Sequence, residues 1–239
     1  MKIISIVIII LFPFLATAHG LEPELGVDPG ILPGERKYFF EKIEEWLSVN
    51  VFTISTRAKQ AKKLEMASKR IAELQALLLK KDVVPNNLQE AVKRYKLFLR
   101  DAEDMAEKII ILDGKEIALA ENFEKASRLH ENVFLELLET ADEKTSPIIY
   151  DALGESRIQN KKIFTFMVKN YQGTDADIEK HQRIVEQHAA IVQSRLSNEK
   201  VPLKLSELKF FLTEADKFRK AGLNIEAYEL VEKAKNIIY

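Results

Sequence analysis

Beyond Gly34 the chain is seldom interrupted. Of 7 prolines and 8 glycines in the 239 residues, those after Gly34 are Pro85, Pro147 and Pro202 with Gly114, Gly154, Gly173 and Gly222. A helix interior loses about 3 kcal/mol to a proline and about 1 kcal/mol to a glycine. Long stretches free of both, rich in Ala, Leu, Glu and Lys, are therefore committed to helix. The spacing predicts an all-α body of seven or eight helices, mostly antiparallel, with coiled-coil-like long members. No strand pattern competes with it.

Periodicity divides the chain. Leu21–Gly34 carries three prolines and three glycines and predicts an extended tether across 19–34, turning at Asp28-Pro29-Gly30. Tyr38, Phe39, Ile43, Trp46 and Leu47 keep helical spacing in a first helix ending near Val51–Ile54. Ser55/Thr56 cap a second, with Ala61, Leu64, Ala67, Ile71, Leu74 and Leu78 as its stripe, stopped at Val84-Pro85. Asn87 with Glu90 spells a capping box for a third, striped by Leu88, Val92, Tyr95, Leu99, Ala102, Ala106 and Ile109.

Past Asp113-Gly114 the stripe resumes with Ile117, Ala120, Phe123, Ala126, His130, Val133 and Leu137, nearly in phase. That phase favours one long, bent helix over a reversal. Ser146-Pro147 opens the next helix toward Asn170, and Thr174 with Asp177 opens one running to about Asn198. A body over 35–200 would then be followed by a helical hairpin over 201–239. There Gly222 is the C-cap and Asn224 the following N-cap. Ala215, Phe218, Gly222, Ala227, Val231 and Ala234 follow the spacing of one tetratricopeptide-type hairpin, which cannot bury its own face and needs a neighbour.

Residues 1–18 read as a cleavable signal peptide. Lys2 is the positive end, Ile3–Leu15 the apolar core and Ala16-Thr17-Ala18 the cleavage pattern. As an uncleaved helix, Ile3–Ala18 would reach about 24 Å, short of the ~30 Å hydrocarbon core, and Pro13 interrupts it. The mature protein is thus expected outside the cytoplasm, periplasmic or secreted. With no cysteine it carries neither a lipid on a thiol nor a disulfide. A formal charge of -1 gives no footprint for nucleic acid.

Chemistry-bearing patterns are sparse. His130, His181 and His188 lack the Glu-x-x-His pattern of di-metal bundles, and His181 and His188 stand about 10 Å apart along a helix, too far for one ion. They share a face with Ile178, Val185, Val192 and Leu196, which reads as two core histidines, or more sharply as a pH-sensitive seam. Gly154-Glu155-Ser156 lacks the second glycine of a nucleophile elbow, and Ser206-x-x-Lys209 lacks its companion motifs. No catalytic, cofactor or metal residue is assigned.

The second helix is locally basic through Arg57, Lys59, Lys62, Lys63, Lys69 and Arg70, with Lys80 and Lys81 beyond. One reading is a patch for an anionic envelope polymer, lipid or nucleic acid. The preferred reading sets it against the acidic third helix, at Asp101, Glu103, Asp104 and Glu107. Phe39, Phe40 and Trp46, with Phe210, Phe211 and Phe218, are expected in the core. Ile110, Ile111, Leu138, Phe164 and Phe166 widen several apolar faces, which suits burial on two sides or a partner.

Gly30-Ile31-Leu32-Pro33, Tyr38-Phe39, Lys42, Glu45, Phe52-Thr53, Arg57-Ala58, Leu64, Ala67 and Arg70-Ile71-Ala72-Glu73 together resemble the start of a family. It is a domain of unknown function from predicted secreted or envelope-associated bacterial proteins. Leu129–Leu138 and Ser146-Pro147-Ile148-Ile149 are similar to its later part, while Arg36 and Lys37 depart from its usual turn residues. The resemblance implies an all-helical extracytoplasmic body and transfers no catalytic residue. The expected role is a non-enzymatic interaction or scaffold protein that needs no cofactor and binds a protein or envelope component or associates with itself. An anionic-ligand module on the basic helix is the alternative.

Overall fold

The structure is a computed structural model that describes residues 25–80, 82–113, 117–170, 175–197 and 205–238. The leader, Gly114, Gly173, Thr174 and Pro202 lie outside the described residues. The chain is all-α. Eight helices are described: α1 Tyr38–Asn50, α2 Thr56–Leu78, α3 Pro85–Asp113, α4 Ile117–Thr140, α5 Ser146–Asn170, α6 Asp175–Ser197, α7 Leu205–Lys220 and α8 Asn224–Ile238. None of them is long and apolar enough to cross a membrane.

Helices α2 to α5 form the centre. Lys63 near the start of α2 pairs with Asp101 far along α3, so these two run antiparallel. Ser127 of α4 meets Ser156 of α5, and the earlier Glu124 meets the later Asn160, so these two are antiparallel as well. The stripe of α3 is buried as its spacing predicts, with Leu88, Tyr95, Leu99, Ala102 and Ala106 all at 0% exposure. Helices α6 and α8 lie against each other and against α4 and α5, through His188–Lys235, His188–Glu124 and Lys161–Glu229. Within the hairpin, Ala227, Tyr228, Val231 and Ala234 belong to the same continuous core as α3.

Local chemistry sets the ends. Ser55 Oγ accepts the Ala58 N–H at 3.1 Å, capping α2 as expected. Gly222 at φ +78° lets its own N–H reach Arg219 O at 2.9 Å and the Leu223 N–H reach Phe218 O at 2.9 Å. These are the paired bonds of a Schellman ending, which needs the left-handed residue. Helix α3 starts two residues earlier than its apparent capping box: Pro85 occupies the first turn, where its missing N–H costs nothing.

Three expectations are corrected. Helices α3 and α4 are not one bent rod. Tyr95 of α3 meets both His130 and Phe134 of α4, with ring centroids 5.6 and 5.0 Å apart, which demands that α4 runs back along α3. Continuity of stripe phase could not tell the cases apart, because both helices face one core. The end of the tether is also docked: Leu32 and Pro33 are buried, and Asp28 Oδ1 accepts the Gly30 N–H at 2.9 Å. Third, Phe39, Phe40 and Trp46 are exposed by 61%, 68% and 60%, and Phe210 by 58%.

Candidate functional site

Helix α1 is inverted. Its buried residues are Tyr38, Glu41, Glu45 and Val49, while Phe39, Phe40, Ile43 and Trp46 face outward. The usual amphipathic helix turns its greasy face inward, and here the two carboxylates go in. What reverses the rule is the partner surface. Lys69 binds both Glu41 and Glu45; Arg70, at 0% exposure, binds Glu45; and Arg94 Nη2 of α3 binds Glu45 Oε2 at 2.7 Å. Tyr38 sits in the middle, accepting from Arg70 Nη1 at 2.9 Å and from Arg94 Nη1 at 3.3 Å. Its ring also lies under both guanidinium groups, at 5.9 and 5.6 Å.

Glu73 completes this clasp. It approaches Arg70 Nη1 at 3.0 Å and accepts from the Tyr38 hydroxyl at 3.4 Å. Burial pushes its carboxyl up to about 8, with Arg70 pulling back and Glu45 and Glu41 adding to the rise. Burial likewise lifts the Tyr38 phenol to about 12. A carboxyl ordinarily near 4.5 that holds its proton to about 8 in the fold taxes stability as pH rises through that interval. Below about 4.5 it is neutral in both states and costs nothing; above 8 the full penalty stands. Glu73→Gln removes the titration. Its urea midpoint is expected to gain on wild type steadily from pH 5 to 8 and to hold a constant lead above that; parallel profiles would refute the assignment.

The outward face continues past the helix. Val51, Phe52 and Ile54 in the loop to α2 are exposed by 53%, 75% and 93%. Arg36 and Lys37 precede this ridge and are exposed, and Arg57 and Lys59 follow it at the start of α2. Glu44 is the exposed acid on the helix itself.

The basic run is therefore split. Lys63 pairs with Asp101 of α3, as the preferred reading had it, and Lys62 pairs with Glu65 of its own helix at 2.7 Å. Lys69 and Arg70 turn instead into the clasp under α1. Arg57 is exposed and Lys59 half-buried at the start of α2, just after the loop that carries Val51, Phe52 and Ile54.

His181 and His188 lie together on the inner face of α6 with Val185 and Val192, and both are buried. Ile178, read on the same stripe, is 36% exposed, and the side chain of Leu196 lies outside the described residues. Phe164 packs edge-on to His181, at 6.1 Å between centroids. His188 sits within a second charge network: its Nδ1 accepts from Lys235 Nζ at 2.6 Å, and its Nε2–H donates to Glu124 Oε1 at 3.1 Å. Burial first, then the cations Lys235, Arg128 and Arg157, drives its pKa well below the ordinary value. Lys235 also binds Glu131 Oε2 at 2.7 Å, and Arg157 Nε holds the other oxygen at 2.8 Å. Burial opposes ionisation of Glu131, but these two cations win and lower its pKa.

One arrangement resembles a nucleophile and its base. Ser68 Oγ lies 2.8 Å from His130 Nε2, and Tyr95 Oη lies 3.4 Å from Nδ1. Burial holds the His130 imidazole at about 3, far too weakly basic to take a hydroxyl proton near neutral pH. The Ser68 hydroxyl also donates to Leu64 O at 3.1 Å. The pair is a hydrogen-bonded core contact. Glu103, Asp104 and Glu107 cluster on α3, where Lys162 already binds Glu103 at 2.9 Å. A groove of about 730 Å³ runs between α3 and the start of α5, lined by Lys93, Leu97, Arg100, Pro147 and Asp151 among others. Of the four cations that line it, Arg94, Lys96 and Arg100 are engaged by Glu45, Asp151 and Glu155. Comparison of the chain with protein-family models, with curated proteins and with solved structures finds no match.

Sequence reasoning missed the clasp. Its signal was present, though faint: Glu41 and Glu45 stand four apart and share a helix face with Tyr38 and Val49. That face looks solvated until three cations from other helices are placed opposite it.

Proposed function

We propose that this protein is a non-enzymatic, extracytoplasmic interaction protein, and that the outward ridge of α1 with the loop after it is the surface by which it binds. The observation that carries this reading is the inversion of α1. A charged clasp fixes the helix from beneath, so the aromatic face cannot turn inward without leaving Arg70 and its neighbours Lys69 and Arg94 buried and unpaired, at several kcal/mol each. A contiguous greasy ridge held outward in this way suits a partner. The buried ionisable groups support the same reading, since they are spent on each other in holding helices together. Extracytoplasmic placement follows from the leader-like residues 1–18.

Trp46 is the single tryptophan and stands on the ridge, so its fluorescence reports docking directly. Iodide should quench it freely in the isolated protein. A fraction of the producing organism's envelope (extracted lipid, detergent-solubilised protein or glycan) or the concentrated protein itself should protect it and shift its emission to the blue. Unchanged quenching with all four would overturn the reading.

A further inference from the structure

Resting on that reading of the ridge, we infer that its occupant is the surface of a bilayer containing anionic phospholipid. Two observations converge. The ridge is aromatic, with Phe39, Phe40 and Trp46 on α1 and Phe52 beyond it, and Trp and Phe favour the boundary between acyl chains and head groups. Cations also bracket the ridge. Arg36 and Lys37 are exposed at one end, where Glu35 beside them pairs with Lys80, and exposed Arg57 with half-buried Lys59 stands at the other, while Glu44 is the single exposed acid of the helix. An apolar centre between basic rims is the pattern of a helix lying in an anionic interface, where each Lys or Arg close to the surface adds to attraction.

The clasp gives this surface its rigidity. Free amphipathic segments order themselves only on reaching lipid and lose affinity to that ordering. Here Glu41 and Glu45 have already fixed α1 on Lys69, Arg70 and Arg94, so the aromatics are presented before contact. The apolar run Ile3–Leu15, which as a leader would direct export across a membrane, places the chain where such a surface is at hand.

The test uses the full chain with vesicles of phosphatidylcholine and phosphatidylglycerol at seven to three, some carrying brominated acyl chains as quenchers of Trp46. Brominated lipid is expected to quench Trp46 at low salt, with binding falling as salt rises. Phe39→Ser with Phe40→Ser, at exposed positions and with the fold checked by circular dichroism, should abolish the quenching. Arg36→Glu with Lys37→Glu should weaken binding roughly tenfold or more. If the vesicles carry the protein down on sedimentation but Trp46 stays unquenched, another segment is the anchor and the inference is overturned. It is equally overturned if vesicles have no effect while raising the protein concentration, or adding envelope protein or glycan, shields Trp46 from iodide; the interaction reading then survives without lipid. Trp46 open to iodide under all these conditions removes both.

Discussion

Arg70→Met is expected to lower stability by about 3–5 kcal/mol, the usual consequence of removing one partner from a buried ionic cluster. Arg70 is fully buried and touches three members of the clasp: Glu45, Glu73 and Tyr38. Methionine fills much of the volume but leaves Glu45 to Lys69 and Arg94, and Glu73 with no cation in contact through Arg70. For a chain of this size, each kcal/mol moves Tm by about 2–4 °C, so a fall of about 10 °C is expected. Adding Glu73→Gln should recover part of the loss, because Glu73 is the group left without a cation in contact. A thermodynamic cycle over the two sites should show coupling above about 1 kcal/mol. Strict additivity would mean that the clasp does not act as a unit.

Lys235→Met is the second large effect, also about 3–5 kcal/mol. Lys235 is 1% exposed and joins α8 to α4 through Glu131 and to α6 through His188. Without it, Glu131 keeps Arg157, while the Nδ1 of His188 loses its donor. The lysine is also one of the charges that keeps His188 from accepting a proton, second only to burial. Its removal should therefore raise the His188 pKa, visible by NMR titration of the ring. A folded state that binds the proton more readily than wild type recovers stability as pH falls. The Tm gap between variant and wild type should consequently narrow from pH 8 toward pH 5. A gap independent of pH would show that the lysine acts through packing alone.

Much of the centre of the fold was legible because its logic is periodic. Leu88, Val92, Tyr95 and Leu99 of α3 recur at helical spacing and are buried as a stripe. Ser55 and Gly222 mark ends for local reasons that any short window contains. What spacing alone could not carry was pairing between distant helices. Glu41 and Glu45 look like a wet face until Lys69, Arg70 and Arg94 are set against them, and that electrostatic match overrides the apolar side of α1. Lys235 likewise looks like an ordinary surface lysine near a helix end, and only the approach of α4 and α6 makes it a buried hub. The reversal between α3 and α4 was hidden for a different reason: two antiparallel helices on one core can keep the same stripe phase as one straight helix.

The inversion of α1 also has a calorimetric meaning. Exposing apolar surface to water raises heat capacity, whereas exposing polar and charged groups lowers it. Unfolding the body around Tyr95, Phe123 and Phe134 belongs to the first kind. Lifting α1 away wets Glu41, Glu45, Lys69, Arg70 and Arg94 together with Tyr38 and Val49, while Phe39, Phe40 and Trp46 are already in water. That local opening therefore carries less of the curvature with temperature that governs the rest of the molecule, and the attachment of α1 weakens less on cooling than the apolar core does.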